Sequence, residues 1–355
     1  MFTSLLIENF RGFRRLSLES LKRVNLFSGM NNAGKTALLE AIFLHLGCNN
    51  PELALRVNTF RGMERFGLEA EQVWGWLFHE KNLRSAITLN SIAVNAIERR
   101  LKITVQQEPG ALTPSSREEE ILKTYAPVST QMGFPSLVLE YSDSTGVQSV
   151  SKGILMPSSL RFEPSDVAIK SIPGVFLASR LLTLREDAER FSKLTELGLE
   201  GEILPTLRLL EPRLKRLALL VSGGAPIIHG DIGIGRLIPV NMMGEGLVRL
   251  LSLLLTVYTT NNGCVLIDEI ENGLHYSVMQ RVWKALIGAA ETADTQIFST
   301  THSRECIMAA HRAIGQFDQY DFNLQRLERI DGDVAVIGYD REMLDTSDEF
   351  AMEVR

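Results

Sequence analysis

The sequence has few cysteines, and they lie far apart. Its 355 residues contain three, Cys48, Cys264 and Cys306, with no C-x-x-C pair among them. An odd number of widely spaced cysteines argues against a disulfide framework or a zinc site and predicts a reducing, cytoplasmic location. Cys264 begins an apolar stretch, so we expect it to serve as a small core residue.

Long hydrophobic runs, heptads and internal repeats are also missing. The longest apolar run, Leu250 to Val257, is too short to cross a bilayer, so no membrane contact is expected. Arginines follow the short apolar stretch Leu5–Ile7 almost at once, which argues against a signal peptide. The lack of sustained heptads excludes a long coiled-coil arm.

Strong charge of either sign is absent as well. The formal net charge is −6, which excludes a uniformly basic surface but leaves room for a local basic patch. The basic residues near the N-terminus are interpreted as charges on a solvated strand face, with a nucleic-acid contact as the alternative: Arg11, Arg14, Arg15, Lys22 and Arg23. Hydrophobic content of 45% and a length of 355 residues allow a large core and two lobes.

A phosphate-binding motif, G-x-x-x-x-G-K-[ST], occupies Gly29–Thr36. Gly29 and Gly34 allow the backbone to wrap tightly, so that successive N–H groups point at a polyphosphate. Lys35 brings a positive charge to the β- and γ-phosphates, and the Thr36 hydroxyl can bind Mg²⁺. The motif therefore predicts a nucleoside triphosphate site.

The flanking sequence supports this interpretation over a chance glycine-rich turn. An apolar run at Val24–Ser28 predicts a buried strand, and helical spacing of apolar residues predicts a helix from Thr36 to about Leu46. The start of that helix directs its positive dipole end at the same anion.

A second set of motifs lies more than 200 residues further along the chain. Cys264–Glu269 is an apolar run followed by two carboxylates, as in a buried parallel strand whose end carries a ligand site. Asp268 can hold the Mg²⁺ shell, and Glu269 can accept a proton from the attacking water. His302 follows a third predicted strand, Gln296–Thr300, and can contact the γ-phosphate.

The intervening region predicts an inserted lobe. We expect a β-meander followed by a buried strand, with segments at 86–94, 101–106, 136–141, 148–155 and 172–179 and a mobile polar loop at 109–120. Helices are predicted over 184–197 and 205–221, and Pro212 should kink the second or split it into two pieces. The leucine face of the second helix is expected to pack on a neighbouring helix, with a partner groove as the alternative. A hairpin is predicted over 226–241. The expected division is 1–65, 66–175, 176–240 and 241–355.

Together these motifs resemble the ATP-binding-cassette-type (ABC-type) ATPase heads of the RecF, SMC and OLD nuclease group, and most closely small stand-alone bacterial AAA-family ATPases related to OLD. The resemblance is carried by Ile7–Phe13, the phosphate loop, Gly244–Gly246, Asp268–His275 and Thr301–Ser303. It implies an α/β P-loop NTPase fold: a mixed sheet with an antiparallel β-subdomain and an inserted helical lobe. It also implies ATP and Mg²⁺ as ligands and head-to-tail pairing of two copies around ATP.

The expected site comprises catalytic Lys35, Glu269 and His302; nucleotide-binding Gly29, Asn31, Asn32, Ala33, Gly34, Lys35, Thr36, Ala37, Gly244, Gly246 and His275; and metal-binding Thr36 and Asp268. Gly244, Gly246 and His275 owe their roles to the resemblance. Met243 stands where the family signature has a serine, and no Mg²⁺-sensing glutamine can be located.

We expect an ATP-hydrolysing switch that controls a separate effector protein, a nuclease or a toxin, because the chain ends without room for the OLD nuclease domain. The resemblance suggests a role in defence against phage or plasmids. The alternative is a RecF-like DNA-binding ATPase in repair. A small-molecule kinase fits less well, since it leaves the Asp-Glu pair and His302 without a role.

Overall fold

The computed structural model describes residues 1–63, 69–108, 134–157, 159–167, 169, 171–179, 184–330, 332–350 and 352–354. The polar loop predicted at 109–120 lies outside these residues. None of the helices in the described ranges combines the length and the apolar character that a bilayer crossing requires.

Within the described residues, seven strands form an antiparallel sheet in the order β2-β1-β4-β5-β6-β7-β8. Numbered in chain order, they are β1 (Phe2–Phe10), β2 (Phe13–Leu18), β4 (Ile87–Ala93), β5 (Glu98–Glu108), β6 (Phe134–Asp143), β7 (Gln148–Leu155) and β8 (Leu160–Glu163). The four predicted meander strands are thus confirmed as β4–β7. β1 and β2 extend the same sheet, because β1 pairs with both β2 and β4.

A second, mixed sheet carries the phosphate loop. In the described part of the chain its order is β16-β15-β3-β14-β13-β9, and only β16 runs antiparallel to its neighbour. Its strands are β3 (Val24–Ser28), β9 (Gly174–Leu177), β13 (Cys264–Ile267), β14 (Gln296–Thr300), β15 (Phe322–Ile330) and β16 (Asp333–Tyr339). Every residue of β3, β13 and β14 is buried, as expected for central parallel strands.

The register of these strands brings distant motifs together. Phe27 of β3 pairs with Thr300 of β14, and Ser299 pairs with Ile267 of β13. The carboxyl ends of the three strands therefore share one edge, where the phosphate loop, Asp268 and His302 follow. This edge is where α/β sheets place ligands.

Helices cover both sheets. They are α1 (Lys35–Leu46), α2 (Leu53–Thr59), α3 (Ala70–Trp74), α4 (Leu184–Glu196), α5 (Glu200–Leu207), α6 (Glu245–Thr259), α7 (Tyr276–Thr292), α8 (Arg304–Ile314) and α9 (Arg341–Glu349). All residues of α1 except Thr36 are buried, and its apolar side chains share a core with both sheets. A second core joins α6, α7 and α8 to the other face of the mixed sheet.

The helix predicted over 205–221 is wrong. α5 ends at Leu207, and Arg216–Ser222 forms strand β10, which pairs with β11 (Ala225–Asp231). Gly223 and Gly224 make the two-residue turn with φ of +59° and +82°, the geometry that glycine pairs adopt readily in hairpins. The hairpin expected over 226–241 is present, since β11 also pairs with β12 (Ile238–Pro239).

Other predictions are confirmed. α1 and α4 lie at the predicted positions, and the segment 172–179 contains β9. The three cysteines are free and buried, and Cys264 begins β13. The mixed α/β architecture with an antiparallel sheet and a helical insertion has the expected fold class.

Candidate functional site

The phosphate loop has a backbone that only glycine satisfies at its two ends. Gly29 has a φ of +134°, and an added Cβ would lie 2.3 Å from the carbonyl oxygen of Leu327. Gly34 has a φ of +101°, and its Cβ would lie 2.7 Å from the ring of Phe13. β15 and β2 therefore press the loop from two sides and fix its shape.

Lys35 lies at the base of this loop with its ammonium group turned back onto it. Nζ donates to the carbonyl oxygens of Gly29 and Met30 at 2.6 and 2.9 Å. Burial lowers the pKa of Lys35 to about 8, although Asp268 and Glu269 act in the opposite direction. A triphosphate at the loop would offer this buried cation a stronger partner than neutral carbonyls.

Thr36 and Asp268 meet although 232 residues separate them. Thr36 Oγ1 donates to the Asp268 carboxylate, at 3.1 Å from Oδ1 and 3.2 Å from Oδ2. Thr300 Oγ1 donates to the same carboxylate at 2.8 Å and holds its orientation. A hydroxyl beside a carboxylate suits Mg²⁺, which takes one or two protein oxygens and completes its shell with phosphates and water.

Glu269 and His302 face each other across the opening of the site. The Glu269 carboxylate lies 3.7 Å from His302 Nε2, while His302 Nδ1 lies 3.3 Å from Lys35 Nζ. Because an ammonium group can only donate, Nδ1 accepts and Nε2 carries the proton that faces Glu269. Glu271 accepts the backbone N–H of His302 at 2.7 Å, so a third acidic residue positions the histidine.

These side chains line one cavity of about 1050 Å³. The predicted residues on its wall are Asn31, Asn32, Gly34, Lys35, Thr36, Ala37, Asp268, Glu269 and His302. Ala33 is buried behind the loop, and its N–H donates to Met30. Five basic and three acidic side chains line the cavity, a balance that favours a polyanion.

Several residues of the wall were not predicted: Arg11, Gly12, Arg61, Trp76, Phe78, Glu80, Lys81 and Arg329. Two of them are held by Glu40, which is fully buried one turn after Thr36. Its carboxylate lies 2.6 Å from Arg11 Nε and 2.7 Å from Arg61 Nε. Burial raises the pKa of Glu40, and the two guanidinium groups oppose that shift.

The signal available in the sequence is Glu40 itself, the single carboxylate of α1, which stands between the apolar runs Ala37–Leu39 and Ala41–Leu44. A charge buried there requires partners.

Gly244, Gly246 and His275 do not line this cavity. Gly244, with a φ of +116°, precedes α6, and no atom lies within 4 Å of where its Cβ would be. Gly246 packs on Gly273, whose carbonyl oxygen would lie 2.5 Å from an added Cβ. His275 is the N-cap of α7 and accepts the N–H of Ser277 at 3.4 Å. The structure therefore groups these three residues around the start of α6 and α7.

The described ranges contain no cluster of three or more His, Cys, Asp or Glu side chains suited to a metal ion. The candidate metal ligands are Thr36 and Asp268. The fold and the cavity define a P-loop ATPase head of the ABC type.

Comparisons with known proteins agree with this class. Residues 24–307 match the family described as "AAA domain, putative AbiEii toxin, Type IV TA system", and the chain belongs to this family. It is 23% identical over 346 residues to an "ATP/GTP phosphatase" of Helicobacter pylori, with 90% of each chain covered. It is also 48% identical over 46 residues to "Uncharacterized protein MJECL10" of Methanocaldococcus jannaschii, covering 13% of this chain and 21% of that protein.

Among solved structures, the chain resembles an SMC head bound to the C-winged helix domain of ScpA. The TM-score is 0.52 at 12% identity, with 97% of this chain and 99% of the other covered. The fold of an ABC-type ATPase head that the motifs predict is confirmed, and the family match makes the protein an AAA-domain ATPase.

Proposed function

We propose that this protein is a cytoplasmic, Mg²⁺-dependent ATPase that pairs head to tail around ATP and uses hydrolysis to change its contacts with an effector protein. The observation that carries the proposal is the meeting of Lys35, Thr36, Asp268, Glu269 and His302 at one cavity. These residues come from three separate stretches of the chain and supply charge, metal ligands and a base.

Each group has a chemical task. Lys35 and the loop N–H groups bind the β- and γ-phosphates, and Thr36 with Asp268 holds Mg²⁺, which neutralises phosphate charge when bound. Glu269 is 41% exposed at the cavity wall, so it can accept a proton from a water molecule there. His302 Nε2–H is available to the γ-phosphate. The relative described as an ATP/GTP phosphatase supports hydrolysis of the γ-phosphate bond.

Exposed apolar side chains on the phosphate loop and beside the signature support pairing of two copies. Met30 on the phosphate loop is 80% exposed, Met242 before the signature 76%, and Tyr276 after His275 65%. Methionine and aromatic side chains are enriched at protein interfaces. Gly244 presents an open helix start outside its own cavity, and such a start can bind a partner's γ-phosphate through backbone N–H groups.

The effector is the less constrained part of the proposal. The description of the family includes a toxin of a type IV system, and the SMC head of similar fold binds a winged-helix domain of ScpA. We therefore propose a protein partner whose contacts depend on the nucleotide, with defence against phage or plasmids as the setting.

DNA binding of the RecF kind is the second candidate, and the ion pairs of the basic N-terminal residues count against it. Four of the five basic residues near the N-terminus pair with acidic side chains: Arg11 with Glu40, Arg14 with Asp333, Arg15 with Glu8 and Arg23 with Asp294. DNA-stimulated turnover that falls steeply with salt would favour this candidate.

The test is phosphate release from ATP with Mg²⁺ or EDTA, together with a calorimetric titration of ATP. We expect Mg²⁺-dependent release by the wild type and loss of ATP binding in Lys35→Ala, because the buried ammonium is the main cation of the loop. Lys284→Ala, on an exposed helix face, is the control. Equal turnover with and without Mg²⁺, or ATP binding by Lys35→Ala, would contradict the assignment.

A further inference from the structure

One tryptophan lies half-exposed on the wall of the nucleotide cavity. Trp76 is 49% exposed, whereas Trp74 and Trp283 are buried at 1% and 0%. These are all three tryptophans of the chain. A half-exposed indole ring at a cavity wall presents a flat apolar face that a ligand in the cavity can cover.

The segment that carries Trp76 is fixed to the turn between β1 and β2. Arg11 donates its backbone N–H to the carbonyl oxygen of Leu77 at 2.8 Å, and its side chain donates to that of Trp76 at 3.4 Å. Phe10 and Phe78 form a further bridge between the two segments. The backbone that carries the indole is therefore held by contacts at Trp76 itself and at the two residues that follow it.

The side chains that would meet the reacting phosphate are gathered in one part of the cavity wall. His302 lies 3.7 Å from Glu269 and 3.3 Å from Lys35 Nζ, at the base of the phosphate loop. Trp76 and Lys81 line the same cavity and take no part in these contacts, so this part of the wall is available to the base of a nucleotide.

We propose that the purine base of the substrate stacks on the indole ring of Trp76, an inference that rests on the proposed nucleotide-hydrolysing function. Lys81 Nζ lies 3.6 Å from the centroid of this ring, so the ring already binds a group on its face. Stacking of a base is stronger than an exposed cation–π contact, and a base displaces the ammonium group.

Stacking contacts the face of the base and makes no hydrogen bond to its edge. Every base has such a face, and purines offer the larger one. The site should therefore accept ATP and GTP with similar affinity and bind CTP and UTP more weakly. Trp76 is thus a residue that selects for a purine base rather than for adenine.

The test compares a ligand with a base to one without it. ATP and inorganic tripolyphosphate are titrated, each with Mg²⁺, into the wild type, Trp76→Ala and Trp76→Phe, with Phe350→Ala as an exposed-aromatic control far along the chain. We expect Trp76→Ala to weaken ATP about 5- to 150-fold, the equivalent of about 1–3 kcal/mol per stacked base. Tripolyphosphate binding should change less than twofold, and Trp76→Phe should retain most of the ATP affinity.

Tryptophan fluorescence gives an independent measurement, because Trp74 and Trp283 are buried. ATP and GTP should quench the wild type, tripolyphosphate should not, and Trp76→Phe should lose the response. Equal weakening of ATP and tripolyphosphate in Trp76→Ala, or no weakening of either, would overturn the inference. Failure of both ligands to bind the wild type would instead refute the proposed function itself.

Discussion

Replacing Glu269 by glutamine separates the chemistry of the site from its geometry. Glutamine has the shape of glutamate, and the backbone N–H of residue 269 still donates to Thr300 Oγ1 at 2.8 Å. The turn imposes a left-handed φ of +49° at this position, and it imposes the same φ on glutamine as on glutamate. The substitution therefore removes the proton acceptor and one negative charge while leaving the cavity intact.

Two effects of different size follow. Loss of a general base lowers turnover by about 10²- to 10⁴-fold. Loss of a negative charge near the γ-phosphate removes a repulsion of about 1 kcal/mol at 4 Å in water, which tightens ATP binding by about fivefold or less. A variant that binds ATP but hydrolyses it slowly should accumulate the proposed dimer.

The assay combines phosphate release with size-exclusion chromatography in the presence and absence of Mg²⁺ and ATP. Glu271→Gln is the matched control, because an amide oxygen can still accept the His302 N–H that Glu271 now accepts at 2.7 Å. We expect that control to retain turnover within about threefold. Turnover of Glu269→Gln within threefold of the wild type refutes its role as a base, and a monomer that persists with ATP refutes the dimer.

Three further predictions concern stability and binding. Gly34→Ala places a Cβ at a φ of +101° and 2.7 Å from the Phe13 ring. Thermal melts should show that the folded state loses about 1–3 kcal/mol of stability, and an ATP titration should show loss of binding. Burial lowers the pKa of His45 from 6.5 to about 3, so the folded state loses stability as the pH falls below 6.5. The free energy of unfolding, measured by denaturation, should be about 1 kcal/mol lower at pH 5.5 than at pH 7.5 because of this residue. His45→Gln should lack this contribution. Arg304→Ala removes the donor to two backbone carbonyl oxygens near the C-terminus, so urea denaturation should show a loss of about 1–3 kcal/mol in the free energy of unfolding. Arg312 is 55% exposed, so Arg312→Ala should lower this free energy by less than about 1 kcal/mol.

The sequence was informative where a short motif fixes its own geometry. The glycine spacing of Gly29–Thr36 and the apolar strand before Asp268 are local patterns, and parallel-sheet topology then brings their ends to one edge. The contact between Thr36 and Asp268 follows from those rules without knowledge of the inserted region. His302 follows for the same reason, because β14 lies between β3 and β13.

The predicted helix over 205–221 failed because its leucines fit two structures. Leu207 and Leu214 are both buried, but one ends α5 and the other precedes β10. Pro212 predicts a kink or a split within one helical stretch, whereas the helix ends five residues earlier, at Leu207, and does not resume. The pair Gly223-Gly224 between two apolar runs was the missed signal, since it is typical of a two-residue hairpin turn.

The far wall of the cavity could not be predicted because its residues share no local pattern. Arg61 lies just after the short helix α2, and Trp76 lies just after the short helix α3. Their positions depend on tertiary contacts with Glu40 and Arg11. Such contacts join residues by burial and charge pairing, and neither leaves a periodic trace in the sequence.

The contact between Gly246 and Gly273 gives the proposed pair of heads a physical route from one site to the other. With 2.5 Å between the Gly273 carbonyl oxygen and a hypothetical Cβ, the two backbones are in direct contact and cannot approach further. If two heads pair as proposed and a partner's phosphate at Gly244 displaces the start of α6, Gly273 has to move with it, and Gly273 belongs to the segment that begins at Glu269. Backbone contact transmits such a displacement where flexible side chains would absorb it. The general base of one head would then respond to the nucleotide of the other, which is the property that a switch requires.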